Sequence, residues 1–237
     1  MGSYVVTDLT RFSNKEIVCT AMICRRTGEC FRPMPYLQYE TVRRLNITPG
    51  AVISGSLTRN NNTANPHVED ASYGNLTYEG PASGEDFLEI LERSSSEDIC
   101  AGFEYNFQKG QKFIPFGVTS ACSIVTLEVA PENIVVLPNP YDPPKLKLSL
   151  SDSAGLHLAN ISITDLGFHE FALGHHGRGD LAIVNEHLRT ADRVFVRLGV
   201  GRRYCQPNTS NDGYWLQANG IYTFPSKLGL VRGYRDA

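Results

Sequence analysis

The stretch Leu137-Pro138-Asn139-Pro140-Tyr141-Asp142-Pro143-Pro144-Lys145 decides how the chain is divided. With Pro131 it places five prolines between positions 131 and 144. Proline lacks a backbone N–H and fixes φ, so this density is incompatible with a central strand or a helix interior. The tract predicts a break between two units, 1–143 and 144–237.

Short β-type runs lie on both sides of it. Ile17 to Cys24 is apolar and β-branched, Arg25-Arg26-Thr27-Gly28-Glu29 reads as a turn, and Cys30 to Met34 returns as the second arm of a hairpin. Pro49-Gly50 marks a turn, Ala51 to Leu57 a strand, and Arg59 to Ala64 a polar loop. Ser83 precedes an amphipathic helix over 85–92 with Phe87, Leu88, Ile90 and Leu91. Beyond it, 124–129, 146–150, 157–163, 193–200 and 214–224 read as strands, with a helix over 181–189 capped by Asp180. Four to five strands and one or two helices per half predict a mostly β protein with a few short helices, built as two OB-like small β-barrels in tandem. No clean internal repeat is visible.

The chain has 237 residues, 41% hydrophobic and 20% charged, with net charge -3. That composition supports a core and argues against wholesale disorder. A surface that grips nucleic acid everywhere would be basic, so any such contact must come from a local patch. No apolar run spans a bilayer and the N-terminus lacks a signal-peptide pattern, so the expectation is a cytoplasmic protein without a membrane partner. The six cysteines form no C-x-x-C pair and are expected to be buried free thiols. Five Asn sequons are taken as chance matches.

Tyr214 to Tyr222 is the sharpest segment. Alternation puts Trp215, Gln217, Asn219 and Ile221 on one face and Tyr214, Leu216, Ala218 and Gly220 on the other. An indole can stack on a base and amides can pair with base edges, whereas a core Trp with two satisfied amides is the structural alternative. Arg193 and Arg197 share a strand face, and Gly199 and Gly201 shape a turn carrying Arg202, Arg203 and Tyr204. Arg25, Arg26, Arg32, Arg43 and Arg44 form a second basic cluster in an acidic protein. Both clusters suit phosphate, and both are also consistent with ordinary solvated faces. His67 and Glu69 fall on one side of an extended Asn65–Asp70 segment, and His169, His175 and His176 lie in a His-rich loop. Either set could serve a metal or a proton transfer, but neither has companion ligands at recognisable spacing. No P-loop, G-x-S-x-G, H-E-x-x-H or dinucleotide fingerprint occurs.

Five segments occurring in order, Cys30-Phe31-Arg32-Pro33, Asn65 to Asp70, Ser162 to Leu166, Arg197 to Val200 and Trp215 to Tyr222, resemble the dual OB-fold domain proteins of prokaryotes. The resemblance runs from about Val18 to Phe224. It implies two OB-like barrels, recognition of nucleic acid or a nucleotide, and association with prokaryotic defence systems. The positions it carries over are Arg32, His67, Asp70, Asp165, Arg197, Trp215, Gln217 and Asn219. Gly167 stands where that pattern has an arginine, which removes one basic contact.

The expected function is a non-enzymatic module that recognises single-stranded nucleic acid or a nucleotide. Arg25, Arg32, Arg197, Arg202 and Arg203 hold phosphates, Trp215, Tyr204 or Tyr222 stack on bases, and Gln217 and Asn219 read base edges. No catalytic residue, metal site or cofactor is expected. The rival readings are an adaptor subunit of a multi-protein defence complex and a metal-dependent enzyme using His67, Glu69, Asp70 or the His-rich loop.

Overall fold

A computed structural model describes residues 2–60 and 65–225. Strands hold 47% of the residues and helices 20%, so the protein is mostly β with a few short helices. The first unit contains β1 (Gly2–Arg11), β2 (Ile17–Cys24), β3 (Cys30–Met34), β4 (Leu37–Gln38), α1 (Tyr39–Arg44), β5 (Ala51–Arg59) and β6 (Asp70–Pro81). β1 pairs with both β2 and β5, and β6 joins β5 to β3, so five strands close into a barrel, with β4 appended to β2. The closing β3–β6 pair is parallel and sets Arg32 opposite Asp70. Gly50 takes φ +83° in the Pro49-Gly50 turn, and its N–H donates to Val6. Tyr4, Leu9, Met22, Phe31 and Ile53 are among the residues filling this barrel.

α2 (Gly84–Arg93) leads into β7 (Ser95–Ser96), α3 (Ile99–Phe103), β8 (Phe113–Pro115), β9 (Ile124–Val129), β10 (Ile134–Asn139), β11 (Asp142–Ser151) and β12 (His157–Ile163). α4 (Leu166–Gly177), α5 (Leu181–Arg189), β13 (Arg193–Val200), β14 (Tyr204–Cys205) and β15 (Asp212–Phe224) complete the described chain. The second sheet runs β10-β11-β12-β15-β13-β9-β7 around a core that includes Val136, Leu148, Phe168, Val196 and Leu216. A closed barrel plus a second sheet is consistent with tandem small barrels.

The proline tract is not a linker. Pro138, Pro140, Pro143 and Pro144 sit around the β10–β11 hairpin, where Ile134 pairs with Leu150 and Leu137 with Lys147. A division at 143/144 would cut two hydrogen-bonded strands. It would also assign β7, β8, β9 and β10, which belong to the second sheet and its edge, to the first unit. Pro138 is tolerated because β10 is an edge strand, Pro140 lies in the turn, and Pro143 and Pro144 fall where the register shift between Asp142 and Leu146 leaves β11 unpaired with β10.

α2 joins the two units. Its Ser83 N-cap accepts from the Asp86 N–H at 3.0 Å, and Phe87, Ile90 and Leu91 bury their side chains. They pack with Val5 and Ile23 of the first barrel and Phe195, Tyr222 and Phe224 of the second sheet. Each large apolar side chain buried there contributes about 1.5–3 kcal/mol. No helix among the described residues is long and apolar enough to cross a membrane.

Three local expectations are corrected. The segment 169–176 is part of helix α4, not a loop. Asp180 makes no capping bond to α5 and instead meets His175 Nδ1 at 3.1 Å. The alternation along β15 breaks at a bulge opposite Arg197/Leu198, which moves Ile221 into the second core with Tyr214, Leu216 and Ala218.

Candidate functional site

Most of the residues singled out from sequence come together, but in a closed polar seam between the two units. Arg197 projects from β13 toward the first barrel and is 1% exposed, as is Asp8 on β1. Its Nε and Nη2 donate to Asp8 Oδ2 at 2.9 and 2.8 Å, Nη1 donates to Thr126 Oγ1 at 2.6 Å, and Nη2 reaches Cys30 Sγ at 3.2 Å. Burial alone would weaken the protonated form, but the Asp8 carboxylate, helped by the hydrogen bond to Cys30 Sγ, holds the guanidinium charged. Burial pushes the Cys30 thiol up to about 11, so it stays protonated.

A second knot lies beside the first. Arg32 Nε donates to Asp70 Oδ1 at 2.5 Å, and Arg202 Nη2 donates to Asp70 Oδ2 at 2.9 Å. Arg202 also donates to the Tyr36 hydroxyl at 3.0 Å. Glu69 accepts from the Ser123 N–H, the Ser123 hydroxyl and the Ile124 N–H at 2.6–3.1 Å, pinning the first unit to the start of β9. The Tyr222 hydroxyl donates to Thr7 O at 2.6 Å, and Asn219 Oδ1 accepts from Thr164. Asp165 caps α4 through Phe168 N–H and also accepts from Ile221 N–H. Even so, burial raises its carboxyl to about 7. Arg32, His67, Asp70, Asp165, Arg197, Asn219 and Tyr222 are thus buried and turned inward. Arg197–Asp8, Arg202–Asp70 and Tyr222–Thr7 tie the units together, whereas Arg32, Asp165 and Asn219 are satisfied within their own unit, so these buried groups are spent on internal partners rather than turned toward a polymer.

His67 is the exception to that rule. It is buried, its ring lies edge-on to Tyr214 with centroids 5.5 Å apart, and neither nitrogen has a hydrogen-bond partner among the described residues. Burial and the nearby Arg32 and Arg202 lower its pKa to about 3, so the ring is neutral. The segment around it forms turns, not an extended strand, and Glu69 is spent on β9. The His67–Glu69 pair therefore does not form a site. The three helix histidines also diverge: His175 meets Asp180, His176 meets the Pro143 carbonyl at 2.8 Å, and His169 is buried. Among the described residues, no group of three His, Cys, Asp or Glu side chains is placed to hold a metal ion. All six cysteines are free, but against the expectation of burial only Cys19 and Cys24 are buried, Cys30, Cys100 and Cys122 are half-buried, and Cys205 is exposed on the short β14.

The remaining candidates lie on the surface. Arg25 faces Asp86 at 3.9 Å beside α2, at the turn before β3, whereas Arg202 meets Tyr36 and Met34 beyond the far end of that strand. The exposed turn residue Arg25 therefore stands apart from Arg202, and the two basic clusters meet only through Arg32 and Arg202 on the two oxygens of buried Asp70. Arg203 is held by Asp212 at 2.6 and 2.9 Å and lies over the Phe116 ring at 3.6 Å. Tyr204 is exposed, and its carbonyl accepts from Trp215 Nε1 at 3.1 Å.

One strip of the second sheet stays open. Lys147, Ser162 and Gln217 are cross-strand neighbours on β11, β12 and β15, so their side chains share one face. Lys147 Nζ donates to Ser162 Oγ at 2.9 Å. Trp215, two residues from Gln217, stacks on its cross-strand partner Phe113 with centroids 4.9 Å apart. The Gln217 amide is half-buried and has no hydrogen-bond partner among the described residues. Burial, together with the charges of Lys112, Lys145 and Arg11, pulls the Lys147 ammonium below the ordinary lysine range. Of these neighbours, Lys145 is ion-paired with Asp142 at 2.8 Å and Arg11 donates to the Ile163 carbonyl at 3.3 Å. Lys112, Lys147 and Phe113 were not singled out from sequence. Lys147 occupies the polar position of the alternating Leu146–Leu150 strand, which is the signal that points to it.

No protein-family model, curated protein or solved structure matches the chain.

Proposed function

We propose that the protein is a non-enzymatic module that binds single-stranded nucleic acid along the open strip of the second sheet. Arg11, Lys112, Lys145 and Lys147 take phosphates, Trp215 backed by Phe113 stacks on a base, and Gln217 offers an unpaired donor and acceptor to a base edge. The observation that carries this reading is the Trp215–Phe113 stack on the same open face as the Lys147–Ser162–Gln217 row, with Lys112 next to Phe113 in the chain. The closed barrel is read as OB-like, a class that often holds oligonucleotides. The association with prokaryotic defence systems belongs to the same proposal and rests on the resemblance.

The test is fluorescence anisotropy with labelled single-stranded DNA and RNA. Three to four phosphate contacts predict a loss of roughly twenty- to fiftyfold in affinity between about 50 and about 200 mM salt. Trp215→Ala should weaken binding by at least about fivefold, the lower end of base–aromatic stacking. Salt-insensitive binding, or an unaffected Trp215→Ala variant, would refute the strip. The adaptor reading is favoured by Phe116 and Val118, which are exposed beside β8. It predicts a stoichiometric protein partner that survives nuclease treatment and is lost in Phe116→Asp.

A further inference from the structure

A second concave site lies between the first barrel and α4. It encloses about 490 Å³, within the range of small-molecule sites. Phe12 and Lys15, from the loop joining β1 to β2, form one wall with Tyr39. His169 and Leu173 are four residues apart on α4 and therefore share a helix face, which forms the other wall. Arg11 stands at the rim.

His169 is the anomaly here. It is 9% exposed, lines the cavity, and its ring has no hydrogen-bond partner among the described residues. On α4 it shares the cavity wall with Leu166, Glu170 and Leu173, and a buried imidazole there would ordinarily be hydrogen-bonded. Burial and Arg11 lower its pKa to about 4, so at neutral pH it carries one N–H donor and one acceptor nitrogen.

We infer that this cavity binds a nucleoside monophosphate, with the base between Phe12, Tyr39 and Leu173, the His169 ring on the base edge, and Arg11 and Lys15 on the phosphate. A flat body with a mixed donor–acceptor edge fits walls of Phe12, Tyr39, Leu166 and Leu173 that carry a neutral imidazole beside the Glu170 carboxylate. A charged tail fits two cations at the mouth. Arg11 serves both this cavity and the strip, so the two sites adjoin. The inference goes beyond the strip and does not depend on it.

The experiment is isothermal titration of the full chain with AMP, GMP, CMP and UMP, and with ribose 5-phosphate as a baseless control. At least one nucleotide should bind, and ribose 5-phosphate should bind at least about tenfold more weakly, since it lacks the stacking body. His169→Leu should weaken the nucleotide about five- to tenfold, one hydrogen bond's worth. Lys15 is exposed, so Lys15→Glu leaves the fold untouched and should weaken binding by about tenfold even if His169→Leu misfolds. Trp215→Ala, which disables the strip, should leave the mononucleotide within about twofold. No binding of any nucleotide, equal binding of ribose 5-phosphate, or indifference to Lys15→Glu would overturn the inference. Loss of oligonucleotide binding alone would overturn only the strip.

Discussion

Replacing Arg197 with Met tests whether the seam holds the two units together. The substitution keeps the aliphatic volume and removes the charge. Asp8 Oδ2 then loses both guanidinium donors and keeps only the Thr7 hydroxyl at 2.8 Å, while Oδ1 already lacks a partner among the described residues. The carboxylate is 1% exposed and water cannot replace the lost bonds without opening the interface. Removing one partner of such a pair costs about 3–5 kcal/mol. In a chain of this size that lowers Tm by roughly 10 °C. Urea unfolding should show the loss as a lower midpoint at unchanged slope. The double variant Asp8→Leu/Arg197→Met removes both charges and should return to within about 2 kcal/mol of the parent, because a buried pair is often replaceable by apolar side chains. A single-variant loss below about 1 kcal/mol, or a double variant as weak as the single one, would refute the reasoning.

Other outcomes follow from the same geometry. His67 and His169 have folded pKa values of about 3 and about 4 against an ordinary 6.5, so their contribution is full above pH 6.5 and is lost as pH falls toward 4. Asp165, raised to about 7 from 3.8, acts oppositely: its contribution is present below 3.8 and lost as pH rises through 7. Between pH 6 and 4.5 the unfolded chain thus gains two protons where the folded one holds one, and stability should fall by about 1.4 kcal/mol per pH unit. His67→Phe should flatten that slope, and an unchanged slope by urea titration across this window would refute the account. Gly213→Ala would set a Cβ 2.2 Å from the Ile114 carbonyl, which is backbone and cannot step aside. It should cost at least about 2 kcal/mol and separate β8 from β15, read as a loss of the Trp215–Phe113 contact in indole fluorescence. Ser83→Ala removes the α2 cap and should cost about 1 kcal/mol by thermal unfolding.

The strands with clean β-branched or alternating runs are legible directly: 124–129, 157–163 and 193–200 coincide with β9, β12 and β13. β1 escapes the pattern because residues 4–10 are all buried, with the barrel core on one face and α2 or the seam on the other, so no period of two appears. β6 escapes for the opposite reason, being largely solvent-facing with Gly74 and Asn75 inside it. α4 carries glycines and histidines and is buried at Leu166, Gly167, Phe168, His169 and Ala172, which leaves no single apolar stripe to read. The seam residues stand out in sequence as charges and amides among apolar runs. Whether such a residue faces water or a second unit is decided by packing between distant strands, here Asp8 against Arg197, and sequence spacing carries no record of it. The strip is half legible: Trp215 and Gln217 come from the alternation of one strand, whereas Phe113 and Lys147 join them through cross-strand register.

The residues of β15 serve two interiors in turn, and this bears on how the chain matures during synthesis. Tyr214 to Ile221 complete the second core, but Tyr222 and Phe224 cover Val5, Ile23 and Phe87, side chains made more than a hundred positions earlier. The first barrel and α2 can assemble once they leave the ribosome, yet their apolar flank stays uncovered until the end of β15 emerges. At ordinary elongation rates that interval lasts roughly ten seconds. During it the nascent protein displays a sticky patch flanked by the unpaired charge of Asp8, a state that favours chaperone capture and makes late truncation far more damaging to solubility than the loss of a short terminal segment would suggest.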